Sequence, residues 1–244
     1  MQEAVQQLLQ AQDAARSARK KGDALRRSGR AEAEVTAAYE VGAQALDEAL
    51  QEVQVDRARI EAARVNASAA AAHSLDDQQL AAQLAETLGA LGGLRQRTGH
   101  ADVALAHYQA GAKIEQLFGM SNTYNRLNEL RQSLLLQGDT TLQQWQPRIA
   151  ALAEQIHAAL LADEELSNKG WAWADLGDCL ALLGRNQASA DAYGTFVEKA
   201  EIKSPERTLD VLNQIAAKLR QRNDPGAARV EAAVAALQAR LARR

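Results

Sequence analysis

The residue types that carry most enzyme chemistry are few and scattered in this chain. His73, His100, His107 and His157 include no pair at metal-ligand spacing on one helix, and Cys179 is the single cysteine. A lone thiol beside an apolar helix face packs as a small hydrophobe and can form no internal disulfide. No glycine-rich phosphate loop, nucleophile elbow or metal motif is present. We therefore expect no catalysis, no metal and no cofactor. Spacing suited to recognition is present instead. Asn125-x-x-Asn128-x-x-x-Gln132 sets three amides at 3,4 offsets, which a helix places on one face. Asn is a weak helix former, so its recurrence there points either to hydrogen bonding, for instance with a peptide backbone, or to a solvated face that tolerates it. A basic run (Arg16, Arg19, Lys20, Lys21, Arg26, Arg27, Arg30) gathers many charges on one side of a helix. It could dock an acidic partner or nucleic acid. No aromatics interleave to stack on bases, Asp23 interrupts the run, and the chain carries a net charge of −3. The expectation is a solvated face, and nucleic acid is not expected as a partner.

These residues must be positioned by helices. The 244 residues are 47% hydrophobic, enough for a core, yet aromatics are only 4% and the sequence contains three prolines. Ala, Leu, Gln, Glu and Arg dominate, and these lose least on entering a helix. The expected fold class is all-α. Periodicity predicts about ten helices in five antiparallel pairs: 3–28 with 31–66, 75–98 with 101–117, 120–137 with 140–163, 168–183 with 186–201, and 205–222 with 225–243. The turns fall at Ser28-Gly29, Thr98-Gly99, Gly138-Asp139, Gly184 and Asn223-Asp224, residues suited to the left-handed cap of a helix C-terminus. Pro205 and Pro225 sit where first-turn prolines belong. Pro147 leaves two options. A helix starts at Thr140 and kinks at the proline, or residues 139–146 form a separate turn. Leu142, Trp145, Ile149, Leu152, Ile156 and Leu160 keep a 3,4 spacing straight through it.

A short pattern returns with the same internal offsets. Leu88-x-x-Leu91-Gly92 closes at Gly99, and Trp173-x-x-Leu176-Gly177 closes at Gly184; a tyrosine follows nine residues after each closing glycine, at Tyr108 and Tyr193. Aligning the later hairpins on Gly99, Gly138, Gly184 and Asn223 brings Leu127 with Leu130, and Leu212 with Ile215, into the same columns. Arg131 stands where the other copies have Gly92, Gly177 and Ala216. On the second helices Ala104 and Tyr108 match Ser189 and Tyr193, then Ala228 and Ala232. These residues resemble the tetratricopeptide repeat, a helical hairpin with a W-x2-L-G-x2-Y signature. The resemblance covers about residues 75–243. Spacings of 39, 46 and 39 residues between turns exceed the family's ~34. The first helices lack the expected aromatic, with Arg95, Leu134, Leu180 and Leu219 in its place. Residues 1–74 read as a divergent capping hairpin, because Ala18 and Lys21 fall where core residues should be. Residues 75–137, with LGGLRQRTG and TYNRLNELR, also resemble repeat modules associated with bacterial conflict and signalling proteins.

The resemblance implies a single right-handed helical-hairpin solenoid over 1–244, with a concave groove lined by the first helix of each pair. Carried over residue by residue, the groove face is Glu86, Gly89, Gly93 and Gln96; then Asn125, Asn128 and Gln132; then Trp171, Ala174 and Asp178; then Asp210 and Asn213. An exposed Trp171 would anchor a partner, or it packs against residues 138–146. The implied function is a non-catalytic interaction scaffold that holds a peptide or partner helix. The alternative is a regulatory sensor or adaptor of a bacterial immune or signalling system, acting on a separate effector. Gly93 and Asp178 stand where a chaperone-type carboxylate clamp would need Asn, which argues against a ligand of that class. The Ala-rich helices 31–66 and 225–243 offer a route to self-association. The start MQEAVQQLLQ lacks a basic and then apolar signal pattern, and no stretch approaches ~18 apolar residues. A cytoplasmic protein with no membrane span is expected.

Overall fold

The computed structural model describes residues 2–63, 74–136, 141–199 and 204–243, and among these every regular element is a helix. Twelve helices follow in order: α1 (Gln2–Arg27), α2 (Glu32–Glu52), α3 (Gln54–Ala63), α4 (Leu75–Arg97), α5 (Ala101–Leu117), α6 (Tyr124–Leu136), α7 (Leu142–Ala162), α8 (Glu164–Ser167), α9 (Gly170–Leu182), α10 (Asn186–Lys199), α11 (Ser204–Gln221) and α12 (Ala227–Leu241). Two more appear than the periodicity predicts. The expected helix 31–66 breaks at Val53, which lets both Val53 and Ile60 join the core. The other addition is the four-residue α8. Residues 64–66, His73 and the turn Gly138-Asp139 lie outside the described residues.

The helix stops follow the expected chemistry. Gly29, Gly99, Gly184 and Asn223 all have positive φ, and Gly119 does the same at the end of α5. Each makes the paired bonds of a Schellman motif. At Gly99, for example, the Gly99 N–H donates to the Gln96 carbonyl at 3.2 Å and the His100 N–H to the Arg95 carbonyl at 2.9 Å. Carbonyls that the helix end leaves without partners are thereby satisfied. α7 runs from Leu142 through Pro147, so residues 142–146 form no separate turn. Its six-residue 3,4 stripe is buried throughout.

The chain divides into two compact units, Met1–Gln132 and Ser133–Arg244. In the first, α1 packs on α2, α4 packs on α5, and both α1 and α2 pack on α4. Its core includes Leu8, Tyr39, Leu46, Leu80, Leu84, Leu88, Leu91 and Ile114. In the second, α9 packs on α10 and α11 on α12; α7 lies on α9 and α10 on α12. Leu176, Cys179, Tyr193, Phe196, Leu212, Ile215, Val230 and Leu237 are buried there.

One packing device recurs. A Cβ built on Gly92 would stand 2.8 Å from the Tyr108 ring, and one on Gly177 would stand 2.5 Å from the Tyr193 ring. Each glycine thus lets a tyrosine of the second helix lie flat against the first. A mid-helix glycine costs about 1 kcal/mol, less than the ~1.5–3 kcal/mol that burying a large side chain contributes. The first hairpin, expected as a divergent cap, uses the same device: Gly22 would meet the Tyr39 ring at 2.4 Å. Gly22 precedes Gly29 by the same seven residues. Tyr39 follows it by ten rather than nine, because α2 starts one residue later after its turn than α5 or α10. In the fifth hairpin α12 starts two residues later after its turn than α5 or α10. Ala228 and Ala232 are therefore exposed, and Val230 and Val234 take their places in the core.

Candidate functional site

Within the first unit, α1, α4 and α6 enclose a cleft of about 150 Å³. α1 contributes Arg16 and Arg19, α4 contributes Glu86, Gly93 and Arg97, and α6 contributes Tyr124. Gln12, 5% exposed, ties the two walls together: its side-chain N–H donates to the Thr87 hydroxyl at 2.9 Å and to the Gln83 carbonyl at 3.2 Å. Glycines one turn apart on α4 shape the floor. A Cβ on Gly89 would press on the Tyr124 ring at 2.9 Å, whereas a Cβ on Gly93 would meet only ordinary contacts. Those contacts are all hydrogen-bond donors: Arg97 Nη1 at 3.4 Å, the Tyr124 hydroxyl at 3.6 Å and the Tyr108 hydroxyl at 3.7 Å. Burial holds the Tyr108 phenol well above its ordinary pKa, so it stays protonated and able to donate. Arg97 is steadied by donating to the Gly93 carbonyl at 2.9 Å.

A buried carboxylate sets α6, and hence Tyr124, in place. Glu115 on α5 is wholly buried and accepts from the Asn125 N–H at 2.9 Å, the Asn125 side-chain amide at 2.8 Å and the Arg126 N–H at 3.2 Å. These backbone N–H groups belong to the first turn of α6, where a negative charge also meets the positive end of the helix dipole. The Arg126 guanidinium adds an ion pair at 3.3 Å. Burial raises the Glu115 pKa, and the donors from Asn125 and Arg126 oppose that rise.

The sequence-predicted groove residues divide by burial. Glu86, Gly93 and the first turn of α6 meet at the cleft. Gln96 is half-buried, its carbonyl oxygen 3.5 Å from the Tyr108 hydroxyl. Asn125, Gln132 and Asp178 are turned inward, at 1%, 3% and 1% exposed. Asn125 also donates to the Ala85 carbonyl at 2.9 Å and fits a notch left by Gly89 and Gly111. A free amide stripe is therefore replaced by an internal bridge. Asn128 is half-buried and donates back to the Tyr124 carbonyl at 2.8 Å. In the second unit, Asp178 accepts from the Tyr193 hydroxyl at 2.8 Å. Ala174 is buried there, Trp171 is 47% exposed at the start of α9, and Asp210 and Asn213 are exposed on α11. A cavity of about 340 Å³ in that unit is lined by Glu154, His157, Trp173, Arg185 and Asp191, where opposite charges are mixed.

Arg97 and Tyr124 escape a reading by repeat columns, since both lie beside the groove positions, and Tyr108 enters that reading only as a repeat position of the second helix. The useful signal was the spacing Gly89-x-x-x-Gly93, which exposes one face of α4. Arg16 and Arg19 were visible as part of the basic run, and the fold turns these two toward the cleft. Among the described residues, no group of three or more His, Cys, Asp or Glu could hold a metal ion, and no helix is long and apolar enough to cross a membrane. No protein-family model matches the chain, and no curated protein matches it either.

Proposed function

We propose that the chain is a non-catalytic interaction scaffold, and that the cleft between α1, α4 and α6 receives a peptide or helix of a partner protein. The carrying observation is the convergence of Glu86, Gly93 and Tyr124 with three arginines in one cleft built on rigid helices. Small polar clefts with an exposed aromatic and arginines are typical of interaction hot spots. The tetratricopeptide-like pattern supports the same reading, because hairpin arrays of that kind present their first helices to partners. A photo-cross-linking residue at position 86 tests it, with position 113 on α5 as the control. Capture of a discrete partner from 86 and not from 113 is expected. Equal or absent capture at both positions refutes the assignment.

A further inference from the structure

We propose that the floor of this cleft, over Gly93, recognises the carboxylate of an Asp or Glu in an acidic segment of the partner protein. The inference rests on the scaffold reading and specifies its ligand chemistry. Its warrant is a comparison within the chain. In the first hairpin the buried tyrosine hydroxyl donates to the carboxylate next to the packing glycine, Tyr39 to Asp23 at 2.8 Å. The fourth hairpin repeats this, Tyr193 to Asp178 at 2.8 Å. Asp23 follows Gly22, and Asp178 follows Gly177. In the second hairpin the residue after Gly92 is Gly93, so this hairpin supplies no carboxylate of its own there, and Asp23 of α1 stands 4.0 Å from the Arg97 Nε. Tyr108 keeps the same position, and among the described residues its hydroxyl donates to the Gln96 side-chain carbonyl at a long 3.5 Å and is hydrogen-bonded with the Tyr124 hydroxyl, with no carboxylate as acceptor. Arg97 and Tyr124 converge on the same point. An incoming carboxylate would complete the second hairpin as Asp23 and Asp178 complete the others. It would also accept a charge-assisted bond from Arg97, while Arg16 and Arg19 attract the surrounding acidic charge.

The dimensions favour a carboxylate over nucleic acid. A cleft of about 150 Å³ admits a side chain but not a stacked base.

The probe is a fluorescein-labelled hexaglutamate peptide, followed by anisotropy at low salt. Arg97→Gln should weaken binding about tenfold or more, in line with the loss of a charged hydrogen bond. Gly93→Asp, which supplies the carboxylate from within the chain, should abolish binding and still fold. Arg27→Gln, the same charge change on an exposed part of α1 outside the cleft, should leave binding intact. Binding that survives Gly93→Asp overturns the proposal, and so does equal weakening by Arg27→Gln. Displacement of the peptide by inorganic phosphate or oligo-dT at lower concentration than by free glutamate also overturns it, in favour of a phosphate site. Cross-linking from position 86 in the Gly93→Asp background separates this inference from the scaffold reading. Undiminished capture there sinks the carboxylate pocket alone. Failure to capture from 86 in the parent chain, with hexaglutamate binding still lost in Gly93→Asp, sinks the scaffold reading alone.

Discussion

The hairpins α4–α5 and α9–α10 are built on one plan and end differently. Both place a glycine seven residues before a left-handed turn and bury a tyrosine ring against it. They diverge at the next residue. Asp178 accepts from Tyr193 and is itself buried, so that hairpin satisfies its own hydroxyl. Gly93 has no side chain to accept from Tyr108, and it lines a cleft together with Arg97. The packing glycine and the position that differs are thus adjacent on one helix, and a single residue decides whether the tyrosine hydroxyl meets a carboxylate of its own hairpin. A second parallel lies in how the next helix is seated. Glu115 holds the first turn of α6 in the first unit. In the second unit Asp224 accepts from the Leu142 N–H at 2.7 Å and holds the first turn of α7.

These parallels can be broken unit by unit. Trp145, Trp171 and Trp173 all lie in the second unit, so tryptophan fluorescence follows its unfolding, while circular dichroism also follows the first. The largest effect is expected from Glu115→Ala, which strips three buried donors of their acceptor and should cost about 3 kcal/mol in urea unfolding. A cost below that of an ordinary surface substitution would remove Glu115 as the anchor of α6. Its pH dependence follows from the sign of the shift. A carboxyl with a folded pKa raised above its ordinary 4.5 contributes stability that is full below 4.5 and is lost as pH rises through the folded value. Glu115→Gln should therefore flatten the decline in stability of the parent chain on that rise. A parallel decline in both proteins would contradict the assignment.

Gly177→Ala should follow, at about 2 kcal/mol, because the methyl group must displace the Tyr193 ring. Gly93→Ala should do the reverse, stabilising the first unit by roughly 0.5–1 kcal/mol through helix propensity alone. If both substitutions shift stability in the same direction, the contrast between packing glycine and floor glycine fails. Asp178→Ala should cost about 1–2 kcal/mol by leaving the buried Tyr193 hydroxyl without its acceptor. No change in the fluorescence-detected midpoint would mean that this bond is not what distinguishes the two hairpins. The smallest effect belongs to the turns. Asn223→Gly should stabilise by about 0.5 kcal/mol, since glycine adopts the φ of 55° without strain. A lowered midpoint would show that the Asn223 side chain contributes more than its backbone costs.

Much of the scaffold was legible in residue types alone. Glycine or asparagine marked every described hairpin turn, because few residues tolerate positive φ. The stripe from Leu142 to Leu160 identified the buried face of α7 despite Pro147. Less was legible at the site. Asn125, Asn128 and Gln132 share a helical face in sequence, yet Asn125 is buried by the notch at Gly89 and Gly111, on two other helices. The first hairpin's kinship with the second and fourth was hidden by one extra turn residue, which shifts Tyr39 by one column.

What the sequence by itself determined is local. Helix formation, helix ends and the apolar stripes follow from propensity and period, which act over one or two turns of chain. Only the tertiary structure decided which polar groups meet. Arg97, Tyr108 and Tyr124 converge over Gly93 because α4, α5 and α6 pack at particular offsets, and the burial of Glu115 follows from the same packing. A hydrogen bond or ion pair acts over a few ångströms, and no periodicity within one helix specifies the distance to a side chain on another.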